Sequence, residues 1–167
     1  MKEALLYQKL DKNKVQCNLC AHRCVIPSGK AGICMVRENN TGILYTKVYG
    51  SIIARHIDPV EKKPLYHFYP GSKAYSVATP GCNFRCLFCQ NWDISQLTHS
   101  EILESGHDVT PEQIVWNTKQ TGCKSIAYTY TEPTIFFEYS YDTARLAHEA
   151  GLKNIYVSNG FMTHEML

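Results

Sequence analysis

The sequence lacks the features that mark several large classes of protein. No apolar run approaches the roughly 18 residues a membrane-spanning helix needs. Neither sign of charge dominates: 17 Lys and Arg stand against 15 Asp and Glu, a formal net charge of +2 in 167 residues. Nucleic-acid binders and proteins held on anionic membranes carry a basic face, and a balance this close to zero supplies no such footprint. The opening residues, Met1-Lys2-Glu3-Ala4-Leu5-Leu6-Tyr7, contain no apolar stretch of the kind a secretory leader has, so the expected compartment is the cytoplasm. No internal repeat and no low-complexity tract is visible. Hydrophobic residues make up 44% of the chain, enough to build a core and far from a disordered composition.

What the sequence does have is cysteine. Seven of the eight fall into two tight groups, Cys17, Cys20, Cys24 and Cys34 and then Cys82, Cys86 and Cys89, while Cys123 stands alone. In a reducing compartment, cysteines two or three residues apart more often hold metal than form disulfides.

The hydrophobic pattern divides the chain at residue 73. Residues 1–14 read as a short amphipathic helix, with Ala4, Leu5, Tyr7 and Leu10 at helical spacing. Val15 to Arg37 is a cysteine module, too short and too rich in turn residues (Pro27, Ser28, Gly29, Gly32) to be held by apolar burial alone. Gly42 to His56 alternates as a hairpin does, with Gly50-Ser51 as its turn. Asp58-Pro59-Val60-Glu61-Lys62-Lys63-Pro64, with His67 beyond it, reads as a solvated loop carrying ion pairs. Beyond residue 73 the pattern becomes strand, helix, strand, helix, strand. Ala74–Thr79, Ser125–Thr131 and Asn154–Ser158 are the strands. Thr110 caps a helix that has Pro111 at its first position and Gln113 closing a capping box. A second helix runs from Thr134 to Ala150 and stops at Gly151, and Thr163–Leu167 reads as the first turn of a third.

Strands separated by helices imply parallel pairing with right-handed crossovers. A complete (β/α) barrel takes about 250 residues, and the stretch after residue 73 has room for three units. The expected fold is therefore α/β. Residues 1–73 form an N-terminal helix, metal module and hairpin, and residues 74–167 form the N-terminal part of a parallel (β/α) barrel that continues in a longer protein. A fragment of that kind is expected to bind a cluster poorly and to turn over little.

Cys82-Asn83-Phe84-Arg85-Cys86-Leu87-Phe88-Cys89 lies directly after a strand, where barrel enzymes place their chemistry. Three thiolates on one loop can each bind one iron of a 4Fe–4S cube and leave the fourth iron open to substrate. Zinc, with Asn83 or a distant His as fourth ligand, is the competing reading. Gly81 permits a sharp turn off the strand, and Phe88 offers a flat apolar face for a purine or else packs beneath the loop. The four N-terminal cysteines can close a zinc site or a second cluster, with His22 able to replace one of them; disulfides are the alternative. Cys123 reads as a small buried hydrophobe.

These residues carry a family resemblance. The Cys-x3-Cys-x2-Cys loop, with an aromatic residue before its last cysteine, resembles the signature of radical S-adenosylmethionine (radical SAM) enzymes. Gln90-Asn91-Trp92-Asp93 resembles the pyruvate formate-lyase activating enzyme branch. Cys17 to Cys24, Gly32-Ile33-Cys34, Val36 to Asn39, Asp58 to Phe68 and Thr129 to Pro133 together resemble the radical enzyme of the AmmeMemoRadiSam system. The resemblance implies that Cys82, Cys86 and Cys89 hold a 4Fe–4S cluster whose open iron chelates S-adenosylmethionine. One electron from the reduced cluster then cleaves the sulfonium to methionine and a 5′-deoxyadenosyl radical, which abstracts hydrogen from a substrate. It implies an oxidoreductase fed by a donor such as flavodoxin or ferredoxin. The activase branch points to a protein substrate, while the substrate of this subgroup is unassigned. The family's Gly-Gly-Glu-Pro motif stands here as Tyr130-Thr131-Glu132-Pro133, so Glu132 is placed on the cofactor's ammonium although both glycines are replaced. Its plain alternative is an acid at a helix N-terminus. Ser158 and Asn159 resemble further cofactor contacts, or else form an ordinary Asn-Gly turn.

Overall fold

A computed structural model describes all residues, Met1–Leu167. In chain order the strands and helices are β1 (Lys2–Glu3), β2 (Tyr7–Lys9), β3 (Val15–Cys17), β4 (Val25–Ile26), β5 (Arg37–Asn40), β6 (Ile43–Thr46), β7 (Ser51–Ile52), β8 (Ala54–Pro59), β9 (Lys73–Ala78), α1 (Trp92–Ser95), α2 (His99–Glu104), β10 (His107–Asp108), α3 (Pro111–Gln120), β11 (Ser125–Tyr128), α4 (Phe137–Glu149) and β12 (Lys153–Tyr156).

The central sheet has the order β12-β11-β9-β8. Its first three strands are parallel, as the alternation of strands and helices predicts, and β8 closes the β9 edge in antiparallel register. The sheet is open. One face carries Tyr75, Val77, Ile126 and Tyr128 against Ile114 of α3 and Tyr139 and Ala147 of α4, forming the largest core. The other face is made of small side chains, Ala74 and Ala127 with Ile155, and is covered by Val60, Leu65 and Phe68. α3 begins as read, the hydroxyl of Thr110 accepting from the Gln113 amide and the Gln113 side chain from the Thr110 amide. α4, by contrast, begins at Phe137 rather than Thr134, and α1 and α2 are helices not expected from the sequence. Pro133–Phe136 is a 3-10 turn that leads into α4. Residues 164–166 form an isolated turn rather than the start of a helix.

The first part of the chain departs from expectation in two places. Residues 1–14 are not a helix. β1 pairs with β6 and β2 with β3, and of the four residues placed on the helical stripe only Ala4 is buried. The pairing with β6 spans some forty residues, so local periodicity carries no signal of it. The hairpin lies at residues 37–46 rather than 42–56: β5 pairs with β6 across Thr41-Gly42. Both turn residues have positive φ (50° and 89°), the geometry that matches the twist of the flanking strands. Asn39 fixes this turn by accepting from the Gly42 amide at 2.9 Å. β7 pairs instead with β10, and β8 joins the central sheet.

The N-terminal segments are locked to the second half by a buried ion pair. Arg37 and Glu138 approach to 2.8 Å with side chains 1% and 0% exposed. Glu138 also accepts from the Leu5 amide. Cys123 packs in the main core as a small hydrophobe. No helix is long and apolar enough to cross a membrane.

Candidate functional site

β9 ends at Ala78 and the chain turns sharply through Pro80 and Gly81. Gly81 has φ +92°, and a Cβ there would lie 2.6 Å from a Val36 methyl and 3.1 Å from the Cys34 carbonyl oxygen. The close approach therefore requires glycine, and it seats the start of the second cysteine loop against the end of the first cysteine group. Residues 82–91 then run without regular structure before α1. Cys82 and Cys89 are half-buried and Cys86 is exposed. The Cys82 sulfur accepts from the Phe84 amide at 3.4 Å, and the Cys89 sulfur lies 3.3 Å from the Ser95 hydroxyl. Burial pushes the Cys82 thiol up, and the nearby Glu132 charge adds to this, while the Phe84 and Glu132 amides oppose it. Phe88 is 90% exposed beside a fully exposed Leu87, so it is a crest residue and not part of the core beneath the loop.

Glu132 is 3% exposed and brings the strand ends together. Its Oε1 accepts from the Thr134 amide, the Thr134 hydroxyl and the Ser158 hydroxyl at 3.0, 2.5 and 2.7 Å. Its Oε2 accepts from the Asn159 amide at 2.7 Å. The carboxylate is thus both the acid that caps the 3-10 turn and the joint between the ends of β11 and β12. Asn159 continues the chain of contacts by donating to Asn83 Oδ1 at 3.0 Å. Glu132, Ser158 and Asn159 consequently form one hydrogen-bonded group next to Cys82, while Phe88 stands apart from it.

The N-terminal cysteines also converge. Cys17, Cys20, Cys24 and Cys34 line a single cavity with His22 and Arg37. Burial raises the Cys17 and Cys20 thiols and pushes Cys34 up to about 12. The Arg37 guanidinium offsets part of that cost at Cys17 and Cys34. Two buried donors in this region have no partner: Arg37 Nε, on the cavity wall, and Asn83 Nδ2, on the residue whose side chain also reaches Cys20. Thiolates are acceptors, so both orphaned donors fit a sulfur-ligated centre. Nowhere in the chain do three His, Cys, Asp or Glu side chains close to metal-ligand spacing. The N-terminal four thus share one cavity, while on the second loop Cys82 and Cys89 are half-buried and Cys86 stands exposed.

His22, read as able to replace one of these cysteines, lines their cavity but has one ring nitrogen engaged elsewhere. Its Nε2 lies 2.9 Å from the Asn83 carbonyl oxygen, and its ring packs edge-on against Phe84 and Phe161. This contact, and the seat of Gly81 on Cys34, were not foreseen from the sequence; only the unusual density of cysteine in both segments hinted that they belong together.

Residues 76–167, more than half of the chain, match the Radical SAM superfamily. The chain belongs to the radical SAM superfamily. Members ordinarily use a 4Fe–4S cluster and S-adenosylmethionine for oxidoreductase-type radical chemistry, and the cysteine loop falls inside the matched region. The chain is 48% identical over 167 residues to the uncharacterized protein MJ0808 of Methanocaldococcus jannaschii, covering all of this chain and 50% of that protein. It is 33% identical over 82 residues to the uncharacterized protein MJ0674 of the same organism, covering 48% of this chain and 19% of that protein. The chain thus spans at most half the length of these curated relatives. No solved structure matches it.

Proposed function

We propose that this chain is the cluster-bearing half of a radical SAM enzyme of the AmmeMemoRadiSam type, related to the pyruvate formate-lyase activating enzymes. The observation that carries the reading is the Glu132 carboxylate, held by Ser158 and Asn159 at the strand ends with Cys82 alongside. Cys82, Cys86 and Cys89 would supply three thiolates, a donor set that suits a 4Fe–4S cube with one open iron. When bound, the cluster supplies the single electron that splits the sulfonium of S-adenosylmethionine into methionine and a hydrogen-abstracting 5′-deoxyadenosyl radical. The electron comes from a donor such as flavodoxin or ferredoxin.

The protein's own residues orient and enclose. Glu132 has its two oxygens fixed by four donors, so a cofactor ammonium meets a carboxylate that cannot swing away. Ser158 and Asn159 hold that carboxylate and line the approach to it. Phe88, on the crest of the loop, is free to fold over an adenine ring. The sequence groups Cys17, Cys20, Cys24 and Cys34 as ligands of zinc or of a second iron–sulfur cluster, and the unpartnered Arg37 Nε on their cavity supports a thiolate centre there. A protein is the substrate class favoured by the activase resemblance. The parallel order β12-β11-β9 supports the expectation of a partial (β/α) barrel.

Anaerobic reconstitution with iron and sulfide tests the reading. In a protein of the relatives' full length the expected result is about four irons and four sulfides on the Cys82 loop, an EPR signal of the reduced cluster that changes when S-adenosylmethionine is added, and release of 5′-deoxyadenosine. The 167-residue chain alone should show the same signals more weakly and turn over little. Stoichiometric zinc without iron would overturn it in favour of a zinc-stapled binding module.

A further inference from the structure

The charged run read as a solvated loop with ion pairs does carry ion pairs, and Lys62 and His67 are exposed, but Asp58, at the end of β8, and Lys63 are buried. Asp58 and Lys63 are each 5% exposed, on the sheet face that carries Ala74 and Ser76. Asp58 accepts from four donors: Lys63 Nζ at 2.7 Å, Lys62 Nζ at 2.9 Å, the Ser76 hydroxyl at 2.7 Å and the Tyr130 hydroxyl at 2.5 Å. One carboxylate therefore answers two ammonium groups and leaves one positive charge without a counter-ion. Lys63 has a single acceptor, Asp58, and lies 4.8 Å from the centre of the Tyr130 ring. An ammonium carries three N–H donors, so two of them, on a buried side chain, have no protein acceptor.

Both lysines line a cleft whose other walls are Gln90, Asn91, Thr129, Tyr130, Thr131 and Val157, none of them acidic. Asp58 and Asp93 line the adjoining hollow that shares Lys62, Asn91 and Tyr130. Gln90 and Asn91 directly follow Cys89, and Asn91 donates to the Tyr130 carbonyl at 2.9 Å. Tyr130 is held at φ +66°, a strained setting for a residue with a side chain, and this setting goes with its hydroxyl reaching Asp58. The Glu132 group that would hold the cofactor is not among the walls of this cleft.

We propose that this cleft is an oxyanion subsite that grips the carboxylate or phosphate group of the substrate through Lys62 and the spare donors of Lys63. The proposal rests on the radical SAM reading for the word substrate, since a molecule held there by its acid group lies against the cysteine loop. The binding of an anion does not rest on it. Lys63 is fixed before any ligand arrives, so little ordering is needed on binding. Lys62, whose side chain is 61% exposed, is free to swing from Asp58 onto the ligand.

The test uses the cluster-free 167-residue chain, which separates it from the reconstitution experiment. Inorganic phosphate and sodium succinate are titrated separately while the side-chain amide resonances of Gln90 and Asn91 are followed by NMR, with sodium chloride as the ionic-strength control. The expected result is saturable movement of both resonances with at least one of the two anions and none with chloride. Which anion saturates distinguishes a phosphate from a carboxylate substrate. Lys62→Met should weaken binding about tenfold, and Lys62→Arg should restore most of it. Lys62 is exposed, so these variants keep the fold where Lys63→Met, which strands Asp58, need not. Absence of saturation with both anions, or binding indifferent to Lys62→Met, would overturn the proposal. Displacement of phosphate by S-adenosylmethionine would also overturn it, because the cleft would then belong to the cofactor.

Discussion

His22 Nε2 and the carbonyl oxygen of Asn83 lie 2.9 Å apart, and this contact joins the two cysteine groups. One partner sits between Cys20 and Cys24, the other directly after Cys82. The ring is braced by Phe84 and Phe161, so the first group is built against the loop that carries the second. His22→Ala removes the contact and leaves the carbonyl without it, at a cost of about 1 kcal/mol. The loop from residue 82 to 91 should exchange its amide hydrogens faster in the variant, with little change in α3 and α4. Hydrogen-exchange mass spectrometry checks this, and unchanged exchange in the loop would show that the bridge does not restrain it.

Glu132 is saturated by hydrogen bonds in a buried setting, which makes it sensitive to a change of one atom. Glu132→Gln places an NH2 group where either the Asn159 amide, or the Thr134 amide together with two hydroxyls, now donates. The fold should lose about 1–3 kcal/mol, the cost of an unsatisfied buried donor. Urea denaturation measures that loss. If the carboxylate holds the cofactor, the reconstituted variant should also bind S-adenosylmethionine more weakly, while Ser158→Ala should show a smaller effect on both.

Removal of one partner of the Arg37–Glu138 pair strands a fully buried guanidinium. Glu138→Ala is expected to destabilise the chain by about 3–5 kcal/mol, and it also deletes the acceptor for the Leu5 amide. Thermal unfolding reads the loss. A shift no larger than that of an exposed pair such as Arg23–Glu165 would contradict the assignment of this pair as the tie between the N-terminal strands and α4.

Acid should weaken the fold through Asp58. Burial pushes this carboxyl up, but hydrogen bonds from Lys63, Tyr130, Lys62 and Ser76 outweigh it and hold the group well below the usual carboxylate range. A carboxyl depressed in the fold contributes stability above its unfolded value, about 3.9 for Asp. That contribution disappears as pH falls from there through the folded value. Asp58→Asn should be less stable than the native chain at neutral pH and should lose less stability between about pH 5 and pH 2. Parallel urea curves across that range decide the point, and parallel loss in both proteins would show that Asp58 does not carry the acid transition.

The three parallel strands and α3 were legible because their signals are local, whereas α1, α2 and β10 between them went unread. Thr110, Pro111 and Gln113 announce a helix start within four residues, and the apolar runs at 74, 125 and 154 have parallel partners on both sides or one. The first half was misread where pairing is long-range. Arg37–Asn40 is a strand of four polar residues with poor strand propensity, fixed by the Thr41-Gly42 turn and by burial of Arg37 on Glu138, a residue a hundred positions away. The candidate site divides in the same way. Spacing pointed to the cysteines, and Glu132, Ser158 and Asn159 were found by resemblance. The oxyanion cleft was invisible, because nothing in Asp58 to Lys63 reveals that Ser76 and Tyr130 close over it.

A strand sealed by an antiparallel neighbour cannot recruit another on that side. β8 seals β9 but is itself an edge, so the central sheet has two margins, that of β8 and that of β12, where Lys153, Asn154 and Tyr156 are exposed. A strand laid along β12 would raise a wall beside Glu132 and the lysine-lined hollow at the strand ends, turning a shelf into a chamber, whereas one laid along β8 would not.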